Sequence, residues 1–180
     1  MCGITGFLNL HSPRKDKALN VLQKMTSSLE HRGPDATGYW MDPNGMIALG
    51  HRRLSILDLS DAGSQPMVSI CGRYVLTFNG EIYNHLSLRK DLEKNTSIQW
   101  KGTSDTETLI EAISHLGLIN TLKKLKGMFA FALWDKKLEI LSLARDPMGE
   151  KHLYYGWQGN TFLFGSELKA LKEHPDFKKK

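Results

Sequence analysis

Residues 74–84 read Tyr-Val-Leu-Thr-Phe-Asn-Gly-Glu-Ile-Tyr-Asn, joining the most apolar segment of the chain to a glycine and several polar groups. Residues 74–78 are nearly all apolar or β-branched, which predicts a strand buried on both faces. Asn79 and Gly80 would then be presented at the strand end, where a carboxamide beside an unobstructed glycine N–H meets the requirement of an oxyanion hole. The dipeptide alone favours a plain Asn-Gly hairpin turn. The helix-like segment after Tyr83 argues against a two-residue hairpin.

Short apolar runs punctuated by glycine, proline, asparagine and aspartate continue on both sides of this stretch, without an internal repeat or a low-complexity linker. Further strands are predicted at residues 4–10, 46–49, 128–134, 139–144, 153–155 and 162–164. Helices are predicted at residues 17–29, 84–93 and 105–115. This segregation of strands and helices indicates an α+β fold with stacked sheets covered by helices, built as one domain over residues 1–180.

Composition and charge exclude several classes of protein. The 180 residues are 41% hydrophobic and 24% charged, as in an ordinary globular domain. No apolar stretch approaches the roughly 20 residues that cross a bilayer and no secretory signal is present, so we expect a soluble cytoplasmic protein without a membrane partner. The net charge of +5 comes from dispersed basic residues with a single run at residues 178–180, which indicates a solvated surface rather than a nucleic-acid interface. The seven histidines lack metal-ligand spacing, so no metal is expected.

Cys2 becomes the N-terminal residue when Met1 is removed, and such a residue carries two reactive groups. Its thiol has an ordinary pKa of about 8.5 and its α-amine one of about 7.7 to 8.0, so a modest shift leaves the amine able to accept the thiol proton. Taken alone, an early cysteine is more often an incidental buried residue. Gly3 and Gly6 lie in an expected strand, where glycine marks close backbone approach, so the terminus can sit against a ligand. Cys2 and Cys71 are expected as thiols rather than as a disulfide.

Two further segments carry charges suited to ligand binding. Arg52 and Arg53 close a strand with paired guanidinium groups that suit a carboxylate, although exposed arginines are an equally good interpretation. Asp105 follows Ser104 at an expected helix start, where a simple cap and N-terminal charge would explain both residues. The Gly-Pro element at residues 31–35 is, as local chemistry, only a loop.

The order and wording of these motifs resemble the glutaminase domain of glutamine-hydrolysing asparagine synthetases, a class II amidotransferase domain with an N-terminal nucleophile. The resemblance covers nearly the whole chain. Its motifs are Met1-Cys2-Gly3-Ile4, HRGPDATG at 31–38, GHRRLSILDLS at 50–60, FNGEIYNH at 78–85, GTSDTE at 102–107, LKGMFAFALWD at 125–135, LARDPMGEKHLYYG at 143–156 and FGSELKAL at 164–171.

The resemblance implies an αββα sandwich of two mostly antiparallel sheets that hydrolyses L-glutamine to L-glutamate and ammonia. It makes Cys2 the nucleophile and its α-amine the base. Asn79 and the Gly80 N–H would stabilise the oxyanion. The implied glutamine-binding residues are Arg53 for the α-carboxylate, the backbone of Leu54, Ser55, Ile56 and Leu57, and Glu81 and Asp105 for the α-amine, together with Asn79 and Gly80.

Other implications of the resemblance concern a longer parent protein. Relatives use the ammonia in a C-terminal synthetase domain, which binds ATP and Mg, and no SGGxDS or Walker A loop occurs in these residues. We therefore expect no cofactor in this domain and, in the parent, asparagine synthesis from aspartate. The alternative use of the ammonia is synthesis of an amino sugar, phosphoribosylamine or a modified surface polysaccharide. Whether the protein forms a homodimer stays open. Pro147 and His152 depart from the commoner RDRxGxKPLYY, which leaves the subfamily open. If Met1 is retained, a silent regulatory or assembly module is the alternative from a different class.

Overall fold

The computed structural model describes residues 1–10, 15–55 and 60–178. The strands are β1 (Gly3–Asn9), β2 (Ala36–Met41), β3 (Ile47–Arg53), β4 (Met67–Val68), β5 (Tyr74–Ile82), β6 (Gly127–Asp135), β7 (Ile140–Arg145), β8 (Tyr154–Gln158) and β9 (Thr161–Gly165). The helices are α1 (Lys15–Ser27), α2 (His85–Glu93), α3 (Asp105–Leu116), α4 (Leu118–Leu122) and α5 (Leu168–Lys172). In the described ranges, no helix has both the length and the apolar composition needed to span a membrane.

The strands form two antiparallel sheets that stack face to face. The first sheet has the order β2-β3-β1-β9-β8 and the second the order β4-β5-β6-β7. Helices α1 and α5 pack on the first sheet, and α3 packs on the second with α2 and α4 beside it. The layers therefore follow the order helix, sheet, sheet, helix, which confirms the predicted α+β sandwich.

The layers pack together because successive side chains of a strand point to opposite faces of its sheet, so one face can pack on helices and the other on the second sheet. In β3, Ala48 packs toward α1, whereas its neighbours Ile47 and Leu49 pack against the second sheet. In β5, Val75 packs toward the first sheet and Leu76 toward α3. Each fully buried valine, leucine or isoleucine side chain contributes about 1.5–3 kcal/mol to the free energy of folding, because its apolar surface is removed from water. The two sheets are thus joined by an apolar layer that fixes their relative position.

Two buried polar contacts also join the sheets beside the strand ends that carry the motifs. The His51 ring donates from Nε2 to the carbonyl oxygen of Phe78 at 3.1 Å, and the Thr77 hydroxyl donates to the carbonyl oxygen of Gly50 at 3.3 Å. Burial lowers the pKa of His51 to about 4, so its ring is neutral near pH 7. These contacts hold β3 and β5 together without a buried charge.

The predicted helices agree with α1, α2 and α3 to within two residues at each end. The strands predicted at residues 46–49 and 153–155 end before β3 and β8 do. The strand predicted at residues 74–78 was also too short: β5 continues through Ile82, so Asn79 and Gly80 lie inside the strand and form neither its end nor a hairpin turn. The reason is the length of β6, whose ladder pairs Asn79 with Ala130 and Ile82 with Gly127. Strands β2 and β4 and helices α4 and α5 were not predicted. Strand β2 lies at a sheet edge and is largely exposed, so it lacks the apolar alternation that predicts a strand.

Candidate active site

A cleft of about 100 Å³ opens where β1 begins, β3 ends and the edge of β5 is uncovered. Strand β4 pairs with β5 only at Val75 and Leu76, so the rest of that edge of β5 extends beyond it. The cleft brings together eight of the predicted site residues: Cys2, Arg53, Leu54, Ser55, Asn79, Gly80, Glu81 and Asp105. The other two, Ile56 and Leu57, lie outside the described residues.

Cys2 immediately precedes β1 and lies against the residue that follows β3. Its Sγ accepts a hydrogen bond from the Leu54 N–H at 3.4 Å and donates to the Leu54 carbonyl oxygen at 3.6 Å. Burial raises the pKa of the Cys2 thiol, and this effect outweighs the lowering by the Leu54 hydrogen bond and the Arg53 charge. The thiol is therefore protonated near neutral pH and needs a base to become a nucleophile. Cys2 and Cys71 are both free thiols, as predicted.

The backbone of Cys2 is anchored by a pair of charged side chains from distant motifs. Arg32 donates from Nε to the Cys2 carbonyl oxygen at 3.0 Å, and its Nη1 contacts Glu167 Oε1 at 2.9 Å. Burial alone would raise the pKa of Glu167, but hydrogen bonds from Arg32 and His31 lower it to about 2. The sequence predicted only a loop around Arg32 and no role for Glu167, because their contact spans 135 residues. The available signal was that Arg32 lies in HRGPDATG and Glu167 in FGSELKAL, two of the motifs that carry the resemblance.

Met1 also lines the cleft. Its side chain is 55% exposed, and its Sδ accepts a hydrogen bond from the buried Lys151 Nζ at 2.7 Å. While Met1 is attached, the nitrogen of Cys2 is a peptide nitrogen and cannot accept a proton. The cleft therefore contains the Cys2 thiol beside a nitrogen that cannot serve as a base.

The open edge of β5 presents a row of backbone N–H groups on alternate residues. Gln65 Oε1 accepts the Phe78 N–H at 2.7 Å, and Asp105 Oδ2 accepts the Ile82 N–H at 2.9 Å. Since N–H groups two residues apart point the same way, the Gly80 N–H points to the same edge, toward the cleft. Gly80 lies so close to β6 that an added Cβ would stand 2.7 Å from Phe129 Cα. The strand therefore fixes the direction of this donor.

Asn79 lies on the face of β5 that is turned toward the first sheet, as Val75 and Thr77 do. Its side chain is 1% exposed, and its Nδ2 is buried without a hydrogen-bond partner among the described residues. A buried donor without a partner costs about 1–3 kcal/mol, so such a group is retained where it serves a ligand. Asn79 Nδ2 and the Gly80 N–H are thus two hydrogen-bond donors at the same cleft.

The remaining cleft residues carry opposite charges on different elements. Arg53 closes β3 and donates from Nη1 to the Ser60 carbonyl oxygen at 3.0 Å. Asp105 begins α3 behind the cap Ser104, whose hydroxyl accepts the Glu107 N–H at 3.2 Å. Asp105 is 5% exposed, and burial raises its pKa. The cleft can therefore hold a ligand that carries both a carboxylate and an ammonium group.

The expectation of paired guanidinium groups was wrong. Arg52 and Arg53 are successive residues of one strand, so their side chains point to opposite faces. Arg52 contacts Glu30 at 2.9 Å and donates to Thr37, whereas Arg53 lines the cleft. Of the two guanidinium groups, that of Arg53 is therefore the one at the cleft.

Comparison with known proteins agrees with these features. The family model described as glutamine amidotransferase domain matches residues 1–180. Asparagine synthetase [glutamine-hydrolyzing] 3 of Bacillus subtilis (strain 168) is 38% identical over 180 residues, covering 99% of this chain and 28% of the relative. A putative asparagine synthetase [glutamine-hydrolyzing] 2 of Methanocaldococcus jannaschii is 37% identical over 196 residues, covering all of this chain and 36% of the relative. The chain thus spans about a third of the length of these relatives.

Among solved structures, the glutamine phosphoribosylpyrophosphate amidotransferase of B. subtilis, complexed with ADP and GMP, superposes with a TM-score of 0.79. The two are 25% identical, and the match covers 95% of this chain and 43% of the other. The fold is that of the N-terminal nucleophile hydrolases, and the predicted resemblance is confirmed. From the family match, the relatives and the architecture together, the chain belongs to the glutamine amidotransferase domain family and is an enzyme of that class.

Proposed function

We propose that this domain hydrolyses L-glutamine to L-glutamate and ammonia through a γ-glutamyl thioester on Cys2. The observation that carries the proposal is the placement of the Cys2 thiol in one cleft with the unpaired Asn79 Nδ2 and the Gly80 N–H. A thiol near two donors is the arrangement that acyl transfer requires, because negative charge develops on the carbonyl oxygen as the nucleophile attacks.

The reaction needs a base, since the Cys2 thiol is protonated near neutral pH. After Met1 is removed, the free α-amine of Cys2 accepts the thiol proton, and the thiolate attacks the side-chain amide carbon of glutamine. Asn79 and Gly80 donate to the oxyanion. The protonated amine then gives its proton to the leaving nitrogen, and ammonia departs. Water, deprotonated by the same amine, cleaves the thioester and restores the thiol.

The charges around the cleft support selection of the free amino acid. Arg53 binds the α-carboxylate, and Glu81 and Asp105 accept hydrogen bonds from the α-ammonium group. The backbone of Leu54 and Ser55 lines the same cleft. A glutamine within a peptide lacks the α-carboxylate, and usually the free α-amine, that these side chains would bind, so we expect it to be rejected.

For the parent protein we propose delivery of the ammonia to a synthetase domain that makes asparagine from aspartate with ATP and Mg. We propose that the glutamine-hydrolysing domain itself binds neither ATP nor Mg. The support is the identity of 38% and 37% to relatives named asparagine synthetases, against 25% to the phosphoribosylpyrophosphate amidotransferase. The fold does not separate these acceptors, because the amidotransferase superposes over 95% of this chain. Synthesis of an amino sugar, phosphoribosylamine or a modified surface polysaccharide therefore stays the alternative use of the ammonia.

The test compares three preparations, each verified by intact mass: protein beginning at Cys2, its Cys2→Ala variant, and protein that retains Met1. Ammonia and glutamate release from L-glutamine should be stoichiometric and confined to the first preparation. Equal release by the first two would refute the assignment of Cys2. Release by protein that keeps Met1 would remove the α-amine from the mechanism, and silence of all three would favour a regulatory or assembly module.

A further inference from the structure

Gln65 is a buried residue of the cleft with no part in the mechanism above. It is 9% exposed and contributes to the cleft wall. Its Oε1 accepts the Phe78 N–H at 2.7 Å, and its Nε2 donates to the Thr106 hydroxyl oxygen at 3.3 Å. The carboxamide therefore uses its acceptor on β5 and a donor on α3.

Along the open edge of β5, two side chains take the place of a neighbouring strand. Gln65 accepts from Phe78 and Asp105 accepts from Ile82, on either side of Gly80. A neighbouring strand would have offered acceptors to all the outward N–H groups of this edge. The two side chains leave the Gly80 N–H between them directed at the cleft. Gln65 and Asp105 thus determine which donor of this edge serves the substrate.

The same contacts close a ring between the two ends of the proposed glutamine site. Thr106 accepts from Gln65 and its hydroxyl donates to Asp105 Oδ1 at 3.5 Å. Asp105 returns to β5 through the Ile82 N–H. The backbone of Gln65 packs against β2, because its carbonyl oxygen lies so close to Gly38 that a Cβ on Gly38 would clash with it. The ring links the oxyanion donors to the carboxylate that binds the ammonium group.

We propose that Gln65 is a positioning residue for glutamine hydrolysis, holding the edge of β5 so that the Gly80 N–H stays aimed at the developing oxyanion at a fixed distance from Asp105. This inference rests on the proposed function. Removal of one oxyanion donor lowers kcat by about 100- to 1,000-fold, and misplacement by about 1 Å costs about 100-fold. Loss of the Gln65 acceptor displaces the donor without deleting it, so we expect a smaller loss of about 10- to 100-fold.

The main variant is Gln65→Met, which keeps the length of the side chain and removes both hydrogen bonds. The exposed Gln99→Met is its matched control. Thr106→Val removes the hydroxyl of the ring at nearly constant volume, and Thr106→Ser restores it. All are made in protein beginning at Cys2, and kcat and KM for glutamine are measured together with the rate of Cys2 alkylation by iodoacetamide, a reaction that needs no oxyanion hole.

Gln65→Met should lower kcat at least about tenfold, change KM less than about threefold and leave alkylation unchanged. Thr106→Val should lower kcat less, Thr106→Ser should recover it, and Gln65→Met with Thr106→Val should be no worse than Gln65→Met alone, because one ring carries both effects. The inference is overturned if kcat of Gln65→Met matches that of Gln99→Met, if only KM changes, or if alkylation falls in parallel with kcat. If Gln65→Met does not fold, the Thr106 pair decides: equal kcat in Val and Ser variants refutes the ring.

Hydrogen exchange separates failure of this inference from failure of the proposed function, since it needs no turnover. In the unaltered protein the Gly80 amide should exchange faster than the Phe78 and Ile82 amides. Gln65→Met should accelerate exchange at Phe78 at least about tenfold, and Gln99→Met should not. Unchanged exchange at Phe78 refutes the role of Gln65 even if glutamine is hydrolysed. Accelerated exchange in a protein that releases no ammonia refutes the proposed function and leaves Gln65 as the holder of this edge.

Discussion

Substitution of Gly80 by alanine tests whether the oxyanion donor depends on the close approach of β5 and β6. A Cβ at Gly80 would stand 2.7 Å from Phe129 Cα and 2.9 Å from Phe129 Cβ, and would also clash with the Met128 carbonyl oxygen. The first distance is about 0.7 Å below the 3.4 Å at which ordinary van der Waals contact begins. Because the opposing atoms belong mainly to the backbone of β6 and the Met128 carbonyl oxygen lies closer still, the strands must separate by at least that amount.

This separation should reduce both stability and rate. Overpacking of this kind costs about 1–3 kcal/mol in the free energy of unfolding. A shift of the Gly80 N–H approaching 1 Å should lower kcat by about 10- to 100-fold. KM for glutamine should change less than kcat does, because two of the three side chains proposed to bind the α-groups, Arg53 and Asp105, lie on β3 and α3 and not on β5.

The assay is ammonia release at varied glutamine concentration, paired with urea unfolding. Gly156→Ala is the matched control, since it makes the same change in β8, where an added Cβ meets no atom within 4 Å. The control should keep kcat and change the free energy of unfolding by at most about 1 kcal/mol. If Gly80→Ala loses stability but keeps the kcat of Gly156→Ala, the strands have moved without harm to catalysis, and the Gly80 N–H is not an oxyanion donor.

Three further predictions concern other parts of the cleft. Asn79→Leu removes a buried donor without a described partner, so kcat should fall at least about 100-fold while the free energy of unfolding stays within about 1 kcal/mol; a kcat loss under about threefold would contradict the oxyanion role. Arg53→Ala should raise KM for glutamine at least about tenfold, and an unchanged KM would exclude Arg53 as the carboxylate ligand. Glu167 has a pKa lowered from 4.5 to about 2, so its stabilising contribution, at most about 3 kcal/mol, is present above about pH 4.5 and is lost as the pH falls through 2. Glu167→Gln should therefore flatten the acid side of the stability profile measured by urea unfolding, and a profile parallel to that of the unaltered protein would disprove this.

The segregation of strands and helices along the sequence predicted stacked sheets covered by helices, and the resemblance implied the αββα order of the layers. The apolar run at residues 74–78 and the spacing of Leu22 and Met25 correspond to core side chains. The end of β5 was misplaced because strand length depends on the ladder with β6, a partner some 50 residues away. Strand β4 has two residues and leaves no periodicity at all.

The site residues were predicted by motif, and the structure explains why local chemistry alone was insufficient. Arg53 and Arg52 look equivalent in the sequence, and only strand alternation separates them. Gln65 had no signal, since its role depends on contacts with Phe78 and Thr106 across 13 and 41 residues. The single domain over residues 1–180, the lack of a cofactor, the cytoplasmic location and a homodimer stay predictions.

In the proposed mechanism, folding positions every group of the site except the base, which is the α-amine that removal of Met1 would expose. The proposed oxyanion donors lie within β5, and Asp105 begins α3, so none of them depends on the N-terminal residue. Arg32 holds the carbonyl oxygen of Cys2, on the side away from Met1. In the proposed mechanism, removal of Met1 therefore frees the base while the thiol stays beside Leu54. Because burial raises the pKa of that thiol and keeps it protonated until a base is present, the proposed mechanism lets the domain fold around the glutamine site before the proposed nucleophile becomes reactive.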